Sequence, residues 1–240
     1  MSNTVFERKE IKYVLSKEQF DNILKEVEQH CKKDEFSEST IQSVYYDTKT
    51  YEIIRRSIEK PDYKEKLRSR SYGLANENSE IFFELKKKYN GIVYKRRIKT
   101  TQQRIDQILK YPYAFENADQ ITKEIANFAK IYEDLEPKYL ILYDRIALKG
   151  EGDLRITFDQ NPRFRTTDLN LETSLEGRPL LDDGEVIMEV KTSFAMPLWL
   201  SHLLCLQKAY KQSFSKVGQA YKLDMMSKMA LKHPRMFAYA

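Results

Sequence analysis

Residues that form cross-links, tight turns or long apolar segments are scarce in this sequence. Two cysteines among 240 residues cannot build a disulfide framework or a cysteine-ligated zinc site, so a reducing compartment is expected. Seven glycines and seven prolines argue against a loop-rich or collagen-like chain. The most apolar stretch runs from Phe194 to Leu206, and Pro197, Ser201 and His202 interrupt it. It is therefore too short to span a bilayer.

The N-terminal region lacks the apolar segment of a secretory signal, because its first thirty residues are charged throughout. Together with the short apolar stretch, this predicts a soluble protein of the cytoplasm. The chain is 41% hydrophobic and 32% charged, which is enough apolar material for a core. The formal net charge is only +5, so the placement of the basic residues matters more than their number.

Motifs for nucleotide loops, zinc sites and covalent catalysis are also missing. The sequence has no Gly-rich Walker loop, and Gly150-Glu151-Gly152 is typical of a hairpin turn. The three histidines are scattered, without the His-Glu-x-x-His spacing of a zinc site, and no nucleophile elbow surrounds a serine. Covalent catalysis is therefore not expected.

Sequence periodicity predicts an α+β protein. Strands are predicted at 5–15, 41–46 (after a polar loop), 63–72, 80–88, 92–99, 137–148, 154–160 and 185–192. Asn90-Gly91 is a strong hairpin signal between two of them. Helices are predicted at 16–31, after Asp47-Thr48, at 102–109, at 119–132 and in two C-terminal segments. Ser16, with Gln19 three residues later, has the spacing of a capping box at the start of the first helix. We predict a single domain over residues 1–240, with an antiparallel eight-stranded β-barrel flanked by helices.

One face of the predicted strands is unusually basic. Lys64, Lys66, Arg68 and Arg70 share one side of their strand because side chains alternate with a period of two. The matching charged positions on other strands are Arg8, Glu10, Lys12, Glu84, Lys86, Lys88, Lys95, Arg97, Arg145 and Arg155. Such alternation is typical of any antiparallel sheet with one solvated face, and this interpretation stays open.

Two features favour an inward-facing, ligand-binding surface. Like charges directly opposite one another destabilise a sheet, yet one strand here presents four cations in succession. The helices also need an apolar surface to cover, and if they cover the apolar strand faces, the charged faces must point inward. A dry interior lined by Arg and Lys would be unstable. A water-filled tunnel would suit a polyanion such as a phosphate chain.

Several carboxylates share this charged face. The main ones are Glu10, Glu84 and Glu189, and Glu185 and Asp159 are further candidates. Any one of them could be the ion-pair partner of a tunnel cation. Several together suit Mg²⁺ or Mn²⁺, which bind through one or two carboxylates and the phosphate oxygens of a substrate.

Short segments along nearly the whole chain resemble, in order, those of a known family. They include Arg8-x-Glu10-x-Lys12-Tyr13, Lys66-Leu67-Arg68-Ser69-Arg70-Ser71-Tyr72-Gly73, Phe83-Glu84-Leu85-Lys86, Tyr94-Lys95-Arg96-Arg97, Tyr143-Asp144-Arg145, Leu154-Arg155-Ile156-Thr157-Phe158-Asp159, Met188-Glu189-Val190-Lys191 and Phe214-Ser215-Lys216. They resemble the VTC domain, the polyphosphate polymerase module of the vacuolar transporter chaperone complex, and its free-standing bacterial relatives. That domain belongs to the triphosphate tunnel metalloenzymes, which are related to the CYTH proteins.

The resemblance implies an ATP-dependent polyphosphate polymerase, a transferase that passes the γ-phosphoryl group to a growing polyphosphate chain inside a basic tunnel. It implies catalytic roles for Lys12, Arg68, Arg70, Lys86, Arg145 and Arg155. It implies phosphate-binding roles for Arg8, Lys66, Lys95, Arg97, Lys191 and Lys216. Glu189, with Glu10 and Glu84, would hold Mn²⁺ or Mg²⁺. In one departure, Ser213 stands where the fungal polymerase has a lysine.

Two alternatives remain beside the polymerase. The first is a triphosphatase on the same fold, which hydrolyses inorganic triphosphate or a nucleotide. The second is a non-catalytic module that binds polyphosphate or nucleic acid, although a nucleic-acid partner is not expected. The resemblance covers no phosphate-sensing domain and no membrane segment, so coupling to a membrane would need a membrane-protein partner. The sequence does not indicate the oligomeric state.

Overall fold

The computed structural model of the chain describes residues 9–76, 79–90, 92–193 and 195–232. Nine strands in these ranges form one antiparallel sheet. They are β1 (Lys9–Leu15), β2 (Lys32–Asp47), β3 (Tyr63–Tyr72), β4 (Ile81–Tyr89), β5 (Ile92–Thr100), β6 (Glu136–Lys149), β7 (Arg155–Arg165), β8 (Arg178–Pro179) and β9 (Val186–Thr192). Along the sheet the order is β1-β9-β7-β6-β2-β3-β4-β5, with the two-residue β8 beside β7.

Helices connect and cover the strands. They are α1 (Lys17–His30), α2 (Glu52–Ile58), α3 (Gln102–Lys110), α4 (Gln120–Ile131), α5 (Leu198–Leu206) and α6 (Lys216–Lys232), with a short 3-10 helix at Pro112–Phe115. Ser16 and Gln19 form the predicted capping box at the start of α1. The Asp47 carboxylate accepts hydrogen bonds from the backbone N–H groups of Ile53 and Ile54, which begins α2 near its predicted position. No helix in the described part of the chain is long and apolar enough to cross a membrane.

The predicted α+β, antiparallel tunnel architecture is confirmed, and eight strands form the main path of the sheet. The sheet curls so that its two ends approach: the Lys86 Nζ on β4 lies 3.6 Å from the Glu10 carboxylate on β1. Closure is not made by pairing β1 with β5. Instead, the outer edge of β1 contacts the segment before α6, where Tyr13 bridges Lys211 and the Gln212 N–H donates to the Lys12 carbonyl.

The prediction of a polar loop before residue 41 is wrong, because β2 already begins at Lys32. The early part of β2 pairs with the end of β6, from Lys32 opposite Lys149 to Ser39 opposite Arg145, with a register shift between Lys33 and Glu38. This segment becomes a strand through its backbone hydrogen bonds to β6. Its polar sequence has no alternation that would have indicated a strand.

The helices cover the convex face of the sheet with ordinary apolar packing. Helices α1 and α5 pack on β1, β7 and β9 through Ile23 and Leu204, which contact the cluster around Phe158. Helices α3 and α4 cover β2, β3, β4 and β6 through Ile108 and Ile125. The charged strand faces are therefore left on the concave side.

Part of the concave side is also apolar. Val217 and Ala220 of α6, with Ile54 of α2, pack against Tyr139 and Ile141 of β6. These contacts bring the beginning of α6 against the concave face. Lys216, the first residue of that helix, therefore reaches side chains of β7.

Candidate active site

The strand registers place charged side chains in rows across the concave face. In one row, Tyr45, Arg68, Glu84 and Arg97 are direct neighbours on β2, β3, β4 and β5. The next row holds Lys66, Lys86 and Lys95. On the other side of the fold, Lys12 lies opposite Glu189, and Glu10 lies opposite Lys191, which is itself opposite Arg155.

These rows surround a cavity of about 930 Å³. The predicted site residues that line it are Glu10, Lys12, Lys66, Arg68, Arg70, Lys86, Lys95, Arg145, Arg155, Glu189, Lys191 and Lys216. Glu84 and Arg97 lie beside the wall, because Glu84 is ion-paired with the lining residues Arg68 and Lys95 and with Arg97. Arg8, also predicted to bind phosphate, lies outside the described residues.

A second cavity of about 590 Å³ adjoins the first. Lys12, Lys66 and Lys86 line both, so the two cavities lie side by side along one basic passage. The second cavity adds five lysines, at positions 60, 64, 88, 211 and 222. Ser213, which replaces the lysine of the fungal polymerase, also lines it.

Glu84 is the centre of a buried cation cluster. Its side chain is 1% exposed, and its carboxylate lies 2.7 Å from the Arg68 Nη2, 2.8 Å from the Lys95 Nζ and 2.5 Å from the Arg97 Nη2. Burial raises the pKa of Glu84, but Arg68, Arg70 and Lys95 together hold it well below its usual value. Of the two roles that the sequence left open for Glu84, this geometry favours the ion-pair partner over the metal ligand.

Asp159 plays the same part on the opposite wall. Its side chain is fully buried and accepts a bidentate pair from Arg145, with Nε at 2.6 Å and Nη2 at 2.8 Å, and it also contacts the Lys216 Nζ. Burial raises the pKa of Asp159, and Lys216 and Arg145 outweigh it and lower the pKa. The guanidinium of Arg145 is thus held in a fixed orientation before any ligand enters. Glu185, the other additional carboxylate, lies in the turn before β9 and accepts from the Asp182 N–H.

Glu10 and Glu189 have a different environment, because both line the cavity and lysines surround them. The Lys191 Nζ lies 2.7 Å from Glu189 and 4.0 Å from Glu10, and the Lys12 Nζ lies 3.2 Å from Glu10. Burial raises the pKa of Glu189, but Lys191, Lys12 and Lys216 hold it well below its usual value. Both carboxylates are therefore available as anions.

These two carboxylates fit a hard divalent cation. Within the ranges that the structure describes, no group of three or more His, Cys, Asp or Glu side chains converges on a metal-sized site. Mg²⁺ characteristically needs only one or two carboxylates, because it keeps waters and binds substrate phosphates. Glu10 and Glu189 could supply that small ligand set.

Lys66 has mainly positive neighbours. Its ammonium donates to the Ser215 hydroxyl at 2.9 Å. Burial lowers the pKa of Lys66 to about 8, with further lowering by Lys12, Lys86 and Lys64 and a partial offset from Tyr45. Burial raises the pKa of Tyr45, but Arg68, Lys66 and Arg70 bring it down to about 7. This part of the cavity therefore has an excess of positive charge.

Several lining residues were missed by the sequence analysis. They are Tyr45, Tyr72, Phe82, Tyr143 and Ser215. The two-residue period placed Tyr72 and Phe82 on the charged faces of their strands, and that signal was available. Ser215 has no strand period, because it lies in the segment between α5 and α6, and its signal was its place in the motif Phe214-Ser215-Lys216.

A curled antiparallel sheet around a cation-lined passage defines a tunnel fold. The chain matches the family model of the VTC domain over residues 7–224 and belongs to that family. No curated protein gives a significant match in sequence.

Solved structures share the fold at low sequence identity. A candidate adenylate cyclase of Bacillus halodurans superposes with a TM-score of 0.53 and 13% identity over 90% of this chain and 96% of that one. A candidate adenylate cyclase of Vibrio parahaemolyticus gives 0.50 and 13% over 91% and 99%. A Hippeastrum protein, described as a candidate adenylyl cyclase with a dominant triphosphatase activity, gives 0.50 and 14% over 87% and 92%.

Proposed function

We propose that this protein is a metal-dependent polyphosphate polymerase that uses ATP. The observation that carries the proposal is the set of Arg and Lys side chains around one cavity that also contains Glu10 and Glu189. Membership in the VTC domain family supports the same substrate class. The cations lie inside a passage, which favours a thin phosphate chain over folded nucleic acid as ligand.

In this proposal the chemistry is phosphoryl transfer without a covalent enzyme intermediate. The terminal oxygen of a polyphosphate chain attacks the γ-phosphorus of ATP, the bond to the β,γ-bridging oxygen breaks, and ADP leaves. Arg68, Arg70 and Arg145 bind and orient the phosphates through charge-assisted hydrogen bonds, while Lys12 and Lys86 neutralise charge. Positioning and electrostatic stabilisation provide most of the catalysis in such reactions.

The proposed metal ligands are Glu10 and Glu189. A bound Mg²⁺ or Mn²⁺ would offset the negative charge of the phosphate oxygens during transfer. Lys191 and Lys12 contact these carboxylates and keep them ionised. We propose Glu84 instead as a positioning residue for Arg68, Lys95 and Arg97.

The second candidate function is triphosphate hydrolysis. The observation that favours it is the fold shared with the Hippeastrum protein described as having a dominant triphosphatase activity. The same cations would bind the triphosphate, and water would replace the polyphosphate chain as the acceptor. The two functions differ in their products and not in their binding sites.

Product analysis separates the candidates. The pure protein is incubated with ATP and Mn²⁺, and ADP, free phosphate and polyphosphate are quantified together. The polymerase forms polyphosphate whose phosphate content equals the ADP released. Free phosphate equal to the ADP, or release of phosphate from inorganic triphosphate in a parallel reaction, would instead identify a triphosphatase. Binding without turnover of either substrate would identify a non-catalytic module.

The variant Glu189→Gln tests the metal assignment in the same assay. It should reduce turnover on the order of a hundred-fold or more, because one ligand of the metal is lost. Its melting temperature should also fall, because Glu189 is the buried ion-pair partner of Lys191, so turnover is measured at a temperature where the variant is folded. Glu185→Gln, in the turn before β9, is the matched control and should retain activity. Near-normal turnover of a folded Glu189→Gln protein would overturn the assignment.

A further inference from the structure

Two aromatic side chains lie on the cavity wall beside Arg70, near the end of β3. Tyr72 on β3 and Phe82 on β4 both line the cavity, and their rings meet edge to face with centroids 5.9 Å apart. Tyr72 is 48% exposed. Phe82 is held from another direction by Arg97, whose guanidinium carbon lies 4.4 Å from the ring centroid.

The exposure of Tyr72 is unusual for this face. The other concave positions on β3 hold cations. Tyr89 has a similar exposure of 53%, but it lies on the convex side of β4. Tyr72 lies opposite Ile41 in the sheet and does not contribute to the three apolar clusters of the fold. Burial in an apolar cluster therefore does not account for an aromatic ring at this place, although the phenol hydroxyl interacts with Arg97 and Arg70.

The order of side chains along β3 suggests what the ring contacts. From one end of the concave face to the other, the strand presents Tyr72, Arg70, Arg68, Lys66 and Lys64. Successive positions on one face are about 7 Å apart. An aromatic platform is thus followed directly by phosphate-binding groups, which is the order of a base and its phosphates in a nucleotide.

Among the described residues, the concave-face rows at the opposite end of β3 hold no aromatic side chain, and Phe214 is the one aromatic residue that lines the second cavity. Lys64 lies opposite Lys88, and both line the second cavity with the lysines at positions 60, 211 and 222. This end suits phosphate alone. No arginine is among the described residues that line the second cavity. Within the described part of the chain, the Tyr72 end is therefore the one that combines aromatic surface with adjacent arginines.

We propose that Tyr72 and Phe82 form a binding site for the nucleobase of the nucleoside triphosphate, with the base stacked on the exposed Tyr72 ring and bordered by Phe82. This inference rests on the proposed function, since it requires that the cavity bind a triphosphate. It sets the direction of the nucleotide: the base lies beside Arg70, and the γ-phosphate points toward Lys66 and Lys12. The acceptor then approaches from the lysine-lined end.

The test compares a ligand that has a base with one that lacks it. Binding of the β,γ-imido analogue of ATP and of diimidotriphosphate, neither of which is readily hydrolysed, is measured by calorimetry with Mg²⁺. Tyr72→Ala should weaken the ATP analogue about ten-fold, because base–aromatic stacking has that size, and leave diimidotriphosphate unchanged. Tyr72→Phe keeps the ring but loses the hydroxyl that interacts with Arg70 and Arg97, so it should keep the ratio of the two affinities. Tyr89→Ala, the convex-side control, should keep both affinities.

Equal weakening of both ligands by Tyr72→Ala would overturn the base site in favour of a structural role, and an unchanged affinity for the ATP analogue would overturn it as well. In both cases, tight binding of diimidotriphosphate to the wild type leaves the proposed function standing. If the wild type binds neither the ATP analogue nor diimidotriphosphate, the base site and the proposed function are both overturned. If Tyr72→Ala does not fold, Phe82→Leu decides by the same criterion, since it removes the second ring and keeps apolar volume.

Discussion

The arginine-rich and lysine-rich parts of the passage treat positive charge in different ways. Arg68 and Arg97 are paired with the buried Glu84, and Arg145 is paired with the buried Asp159. Lys66, in contrast, has Lys12, Lys86 and Lys64 as charged neighbours, and its pKa falls to about 8. In the first part, carboxylates hold the guanidinium groups in place before ligand binds, although the cations still outnumber them. In the second part, the partner of Lys66 within the described residues is the Ser215 hydroxyl and not a carboxylate.

This difference shows how one cavity can both orient the phosphates of a ligand and attract a polyanion. A carboxylate that fixes a guanidinium fork removes the entropic cost of ordering it when phosphate arrives. Repulsion among clustered lysines destabilises the empty protein, and a bound polyanion relieves that repulsion and so stabilises the folded state. Substitutions on the two sides should therefore have opposite effects on stability.

The largest effect is expected from Glu84→Gln. The change leaves Arg68, Arg97 and Lys95 partly buried without their counter-charge, and loss of one partner of a buried ion pair typically costs about 3–5 kcal/mol. The melting temperature should fall sharply, and turnover should fall with it. Glu38→Gln is the control, because Glu38 pairs with Lys33 at an exposed site, with side chains 66% and 53% exposed. A Glu84→Gln protein that melts like wild type would show that the arginine side does not depend on this carboxylate.

Arg70→Ala should lose activity without losing the fold. The Arg70 Nε donates to the Ser43 hydroxyl and the Nη2 donates to the Tyr143 hydroxyl. Because both partners are hydroxyl groups, removing the Arg70 side chain does not break an ion pair with a buried carboxylate. We expect turnover to fall on the order of 10²–10³, the usual effect of losing a donor aimed at developing charge. Arg68→Ala should match this loss and also lower the melting temperature, because Arg68 is a partner of Glu84.

Arg96→Ala provides the control for both arginines, since Arg96 pairs with Glu124 of α4 on the convex side. It should retain turnover. A large fall in the melting temperature of Arg70→Ala, with ATP affinity unchanged, would assign Arg70 to the structure of the sheet and not to phosphate binding.

Lys66→Met should stabilise the empty protein. Because the pKa of Lys66 in the folded state lies below that of an unfolded lysine, its charged form is destabilising below pH 8, and the penalty disappears as the pH rises from about 8 to 10.5. At pH 7 we expect a gain of about 1 kcal/mol, or roughly 2–4 °C in melting temperature. The gain should vanish near pH 10, and triphosphate should bind more weakly at pH 7. Lys99→Met, at an exposed pair, should change neither property, and a Lys66→Met protein less stable than wild type would contradict the prediction.

The smallest effect is a pH dependence of the wild type. As the pH rises from 7 to 9, Tyr45 becomes an anion and Lys66 loses its charge, so affinity for diimidotriphosphate should fall about several-fold. Stability of the empty protein should rise over the same interval, because both groups have folded-state pKa values below their unfolded ones. Calorimetry and thermal melting across this range measure the two trends. Parallel changes in affinity and stability would contradict the assignment of these two groups.

Much of the fold was predictable because strand and helix periods are local properties of a sequence. The bounds of β3 were predicted correctly, and the capping box at Ser16 marked the start of α1. The charged faces of β3, β4 and β5 followed from the two-residue period alone. The beginning of β2 could not be predicted, because its polar residues become a strand only through pairing with β6.

The sequence by itself determined which residues share a strand face, since alternation is imposed by the backbone. It also determined the excess of cations on those faces and the motifs of the VTC domain family. Tertiary structure decided which carboxylate meets which cation: Glu84 and Asp159 are enclosed by cations, whereas Glu10 and Glu189 line the cavity. Pairing of neighbouring strands brings Arg68 and Arg97 to Glu84 and Arg145 to Asp159, and docking of α6 adds Lys216. Alternation of side chains along one strand carries no information about distances between side chains on different elements.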